Sequence, residues 1–144
     1  MKYDYEKLLI GYCGLYCRVC DYYTGYLTKA AEELLKIVEK HAEIKEIFEK
    51  SKICDYEEFI KGLRSLANLT LCLGCRAGDG WEECPVRKCA LKKEVKYCIE
   101  CNEYPCELIN RFKSMRICSD ELKAKGFEKY IKEKLGKKQT VKSI

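Results

Sequence analysis

Three thiols stand at Cys13, Cys17 and Cys20, spaced C-x3-C-x2-C within GYCGLYCRVCDYYTGY. Seven more follow at Cys72, Cys75, Cys84, Cys89, Cys98, Cys101 and Cys106, as C-x2-C, C-x4-C and C-x2-C-x4-C. A C-x2-C turn lets two thiolates converge on one ion while its backbone amides point at the sulfurs. Gly74 inside CLGC relieves the tight turn that such a knuckle needs. Cys84 and Cys106 each lie beside a proline expected to open a helix, where the positive helix end favours the thiolate. Spacing and chemistry together predict metal ligation by most of the last seven, while the first three can hold an iron–sulfur site or zinc with a fourth thiolate from elsewhere.

Ten thiols are two more than two four-thiolate sites require. The favoured partition puts Cys72, Cys75, Cys84 and Cys89 on one ion. Cys98, Cys101 and Cys106 then take a fourth ligand from the first run. The runner-up is a ribbon-like pairing of Cys72 and Cys75 with Cys98 and Cys101, whose spacing matches common zinc modules. The remaining thiols are then reactive, bonded to each other, or completed into a third site by Cys54 and Cys118. Zinc is the expected ion, with an iron–sulfur cluster as the alternative. The first run has the spacing by which radical-SAM enzymes hold a four-iron cluster. Those enzymes need a parallel barrel, and this chain has neither the length nor the βα repeats.

Twelve cysteines in 144 residues approach the density of a disulfide scaffold. The opening MKYDYEKLLI mixes acids and lysines and is not a signal peptide. No run approaches the about 20 apolar residues of a membrane span. Short-range cysteine pairs also suit one shared ion better than cross-links between distant segments. A reducing cytoplasm is the expected location. Abundant Lys and Glu with a single Gln fit a thermophile, where intracellular disulfides do occur, so a disulfide among some of the thiols stays open. The net charge of +5 is concentrated at the end, where eight lysines from Lys123 onward face only Glu128 and Glu133. Each zinc held by four thiolates carries a net −2, so the raw charge is a poor guide to partners.

The elements that must position these thiols read as helices. Residues 28–68 join the two cysteine islands, 13–20 and 72–106. Thr28 can cap a helix to about Lys50, with Ala31, Leu34, Ile37, Val38, Ile44, Ile47 and Phe48 at helical spacing and a break near His41 to Glu43. Asp55 with Glu58 starts a second helix with Tyr56, Phe59, Ile60, Leu63 and Leu66 on one face. Pro85 and Pro105 open two short helices. Ser119 or Asp120 caps a last helix through Leu135, weakened by Gly126 and ended by Gly136, before a frayed basic tail, 136–144. The expected fold is mainly α, one small domain over residues 1–144 with metal-stapled cysteine loops.

CGLYCRVCDYY, CLGCR, CPVRKCA and YCIECNEYPCE, in that order, resemble the DUF3795-type family, uncharacterised cysteine-rich proteins of archaea and bacteria. The resemblance covers residues 13–23 and 72–107. It implies Cys13, Cys17, Cys20, Cys72, Cys75, Cys84, Cys89, Cys98, Cys101 and Cys106 as the signature positions and supplies no reaction. Cys54 and Cys118 fall outside the pattern and are expected to be buried thiols.

The other candidates are weaker. His41, the single histidine, is expected to pack or lie partly exposed on its helix. Asp79 between two glycines reads as a turn residue, and Trp81 as packing over the cysteine loops. Tyr12, Tyr16, Tyr22, Tyr23 and Tyr26 are expected to pack around the thiols. No catalytic triad or phosphate-binding glycine loop can be assembled. Three classes of function therefore compete: a non-catalytic zinc module facing a protein partner, an iron–sulfur or thiol redox and metal-handling protein, and a nucleic-acid-binding zinc protein using the basic tail for weak contacts. The first is favoured, because no residue set specifies a substrate.

Overall fold

The computed structural model describes residues 3–52 and 54–140. Asp4 and Glu6 near the start and Lys7 at the end suit the single turn α1 (Asp4–Leu8). The chain then enters the first cysteine run. Ile10 and Tyr16 form an isolated antiparallel bridge there, and Cys17–Val19 make one 3-10 turn.

The apolar spacing from Ala31 to Phe48 produces two helices, with the predicted break at His41. α2 (Tyr26–Lys40) begins after Gly25 at φ 73°, so Thr28 lies inside it and is not its cap. His41 is extended (φ −110°, ψ 94°), and α3 (Ala42–Ser51) follows. Asp55 caps α4 (Tyr56–Ala67) as expected, its side chain accepting the Glu58 amide at 3.0 Å. Ala31 of α2 with Leu63 and Ala67 of α4 forms a small core, backed by Leu35 and Phe59. Phe48 of α3 packs on Tyr56 and Phe59 at ring separations of 5.8 and 4.9 Å. These three helices are a unit with its own apolar centre.

Pro85 opens α5 (Pro85–Lys92) as predicted. Pro105 does not open α6 (Glu107–Asn110): it follows a cis peptide in the preceding turn, and Cys106 takes the N-cap. The last helix also differs from its sequence reading. α7 (Lys113–Thr140) starts six residues before Ser119 and continues past Gly136, with a break at Gly126 (φ 73°, ψ 165°). An exposed glycine in a helix only weakens it, and helix formers flank Gly136 on both sides. Val141 to Ile144 of the expected frayed tail lie outside the described residues.

The main core is built by α7 against the cysteine loops. Leu122, Tyr130 and Ile131 bury with Ile10, Tyr16 and Tyr97, and Phe127 and Leu135 extend the helical stripe. A second cluster joins Cys13, Cys84, Val86 and Ile109. The protein is thus a small, mainly helical single domain, with no extended strand among the described residues. No helix among them is long and apolar enough to cross a membrane.

Candidate metal centres

The cysteines sort around two cavities. Cys89, Cys98, Cys101 and Cys106 line a compact one of about 20 Å³, walled by Val86, Val95 and Ile109. Cys13, Cys17, Cys20, Cys72, Cys75 and Cys84 line a larger one of about 170 Å³. None of the twelve cysteines is disulfide-bonded. Among the described residues no three His, Cys, Asp or Glu side chains are gathered tightly enough to enclose an ion as they stand. The grouping therefore rests on shared cavities.

This grouping differs from the favoured partition. Cys84 and Cys89 line different cavities, with α5 between them. Cys84 is its N-cap, and Cys89 lies five residues on, about 7 Å along the axis and roughly 140° around it. Cys89 therefore faces the Cys98 knuckle, while Cys84 packs with Cys13. The ribbon-like pairing differs from it too, since Cys72 and Cys75 line one cavity and Cys98 and Cys101 the other. Cys13 lies between the groups, close enough for its charge to act on Cys75, Cys84 and Cys98. Cys54 is exposed rather than buried, and Cys118 is half-buried.

Each centre is built from local turns. Cys75–Ala77 and Cys98–Glu100 are single 3-10 turns like that at Cys17. Gly74 sits at φ 102°, as a knuckle turn requires, and its amide donates to the Cys72 sulfur at 3.3 Å. Asp79 is a turn residue, accepting the Leu73 and Gly80 amides at 2.7 Å each. Those amides hold its carboxyl below the usual range. Burial pushes the Cys13 and Cys98 thiols up to about 12, with neighbouring thiols adding to the effect. The Cys17 and Cys75 thiols interact, which lowers the Cys17 pKa and raises that of Cys75. At the compact centre the Lys93 ammonium lies 3.9 Å from the Cys101 sulfur and pairs with Glu103 at 2.7 Å.

Two arginines that sequence reasoning passed over hold these loops. Arg87 is buried and donates to the carbonyls of Cys75, Asp79, Trp81 and Glu82 at 2.7–3.2 Å. Arg76 donates to the carbonyls of Ile10 and Lys96 at 2.9 and 2.7 Å. Its guanidinium lies 4.6 Å from both the Tyr12 and Tyr97 rings, tying the two cysteine islands together. The available signal was their place inside CLGCR and CPVRKC, next to ligand-spaced thiols. Tyr12, Tyr16, Tyr22 and Tyr23 do wall the larger cavity, as does half-exposed Trp81, whereas Tyr26 is exposed. His41 lies at the α2–α3 break and pairs with Glu43 at 3.0 Å, away from either thiol group.

Neither the curated proteins nor the solved structures contain a match to this chain. One family does match, over residues 9–111, and its span encloses both cavities' cysteines and both loop-holding arginines. The chain belongs to the family described as proteins of unknown function, DUF3795.

Proposed function

We propose that this protein is a non-catalytic, thiolate metal-binding module, with zinc at the compact centre of Cys89, Cys98, Cys101 and Cys106. One observation carries the reading: four thiols, from a helix, a C-x2-C turn and a helix N-cap, line a single apolar cavity with room for about one atom. The four thiols are partly buried and face a cavity with apolar walls. Four thiolates around zinc are a closed, tetrahedral structural site, and such a site stabilises the fold directly. The metal would pin α5 and α6 to the Cys98 turn, adding to the apolar packing of Val86 and Ile109.

The test is elemental analysis of protein purified without oxygen. About one zinc per chain is expected at this centre, absent from the Cys101→Ser variant. Metal-free protein with an unchanged melting temperature would overturn the reading.

A further inference from the structure

The two cavities differ in size by nearly tenfold, about 170 Å³ against about 20 Å³. A single ion with four thiolates fills roughly the space of one water and leaves nothing over. It therefore suits the compact centre and leaves the larger cavity underfilled. The larger space is walled by apolar and aromatic side chains, Tyr12, Tyr22, Tyr23, Trp81 and Met115 among them. The cavity opens beside half-exposed Trp81 and exposed Cys20, and six thiols line it. Soft thiolates in an apolar shell select iron–sulfur clusters. A cubane of four irons and four sulfides is about eight atoms, which matches the larger volume and not the smaller.

The ligand set follows from the loops. Two C-x2-C turns, Cys17 to Cys20 and Cys72 to Cys75, line the same cavity, and the Cys17 sulfur lies against Gly74 of the second turn. Cys13 and Cys84 belong instead to the apolar cluster with Val86 and Ile109, and form the inner wall. The Gly74 amide already points at the Cys72 sulfur, the second-layer contact that stabilises a cluster thiolate. A cluster with four thiolates is anionic, and the buried Arg87 guanidinium stands beside the Cys75 loop, held there by four carbonyls. Cys20 is exposed, so the cluster would lie near the surface on that side.

We infer that the larger cavity is the seat of a four-iron, four-sulfide cluster ligated by Cys17, Cys20, Cys72 and Cys75, distinct from the zinc of the compact centre. The inference deepens the metal-binding reading and rests on it.

The full chain, purified without oxygen, is reconstituted with ferrous iron and inorganic sulfide, and iron, acid-labile sulfide and zinc are counted. About four irons and four sulfides per chain are expected beside one zinc, with a visible absorption that dithionite bleaches. Cys17→Ser and Cys72→Ser should lose iron and sulfide and keep zinc, Cys101→Ser should do the reverse, and Cys13→Ala should keep both. Should these variants fail to fold, Mössbauer spectra of the unmutated protein loaded with enriched iron still decide. A cubane spectrum supports the inference, and a mononuclear high-spin ferrous signal overturns it. A second zinc with no sulfide uptake also overturns the cluster while the metal-binding reading stands. Uptake of neither metal would remove both.

Discussion

Arg87 shows how much one buried side chain can organise. Its guanidinium satisfies four carbonyls of the loop between Cys75 and Glu82, a stretch with no regular ladder to pair them. Arg87→Ala should therefore cost about 2–4 kcal/mol, since buried acceptors lose charge-assisted bonds. Arg87→Lys should recover little, because a point ammonium cannot span four acceptors. Urea denaturation of the three proteins checks both statements, and a near-neutral lysine variant would contradict the fork geometry. The thiols divide in the same way. On the proposed zinc reading, Cys101→Ser removes part of a binding energy of order 10 kcal/mol, which would be folding energy. Cys54 is exposed and donates to the Asp55 carbonyl at 3.4 Å, so Cys54→Ser should shift stability by no more than about 0.5 kcal/mol. Equal melting temperatures for the two variants would contradict the ligand assignment.

At the scale of elements, α7 is the strut on which the first cysteine run rests. Ser119 donates to the Cys13 carbonyl at 2.8 Å and Tyr130 to the Gly14 carbonyl at 2.7 Å. Gly14 lets the two backbones meet. It has φ 80°, and a Cβ there would lie 2.9 Å from the backbone of Cys118 and Ser119. Gly14→Ala should push α7 off the loop and cost about 3 kcal/mol, strain and lost packing together. Gly136 is the counter-example: it lies inside the helix with open space where a Cβ would go. Gly136→Ala should raise stability by roughly 0.5–1 kcal/mol. Thermal melts of the two variants should move in opposite directions, and a destabilised Gly136→Ala would argue that α7 ends before it.

For the whole molecule, the two apolar centres should respond differently to metal loss. The core of α2 and α4 holds Ala31, Leu63 and Ala67 and uses no cysteine, whereas the larger core needs Ile10, Tyr16 and Tyr97 held on the cysteine loops. Chelation should raise amide exchange most in residues 9–20 and 72–106 and least in α2 and α4. A uniform rise would show a single cooperative unit. The basic end is less available than its charge suggests. Lys125 pairs with Glu133 at 2.7 Å, Lys134 with Glu121 at 2.6 Å, and Lys123 lies 5.1 Å over the Tyr104 ring. Duplex DNA should therefore bind weakly, with log affinity falling against log salt at a slope of about −2 or shallower. Filter binding at two salt concentrations checks this, and a steep slope would give the lysines a phosphate-binding role.

What could be read along the chain was everything whose cause is local. Asp55 capped its helix and Pro85 opened one, because both effects act within a turn. Gly74 and the C-x2-C turns took the expected knuckle form, because three or four residues suffice to make it. The break at His41 showed in the apolar spacing. Which thiols share a cavity was not local, and the sequence partition grouped Cys84 with Cys89 where the structure puts them on different cavities. Their spacing looked like a ligand pair, but one residue caps α5 and the other lies on its far side, a rotation that only the packed helix reveals. The roles of Arg76 and Arg87, and the tenfold difference between the cavities, likewise depend on loops meeting from distant parts of the chain. Local turn chemistry belongs to the sequence by itself, whereas the sharing and volume of a site arise only when remote segments pack.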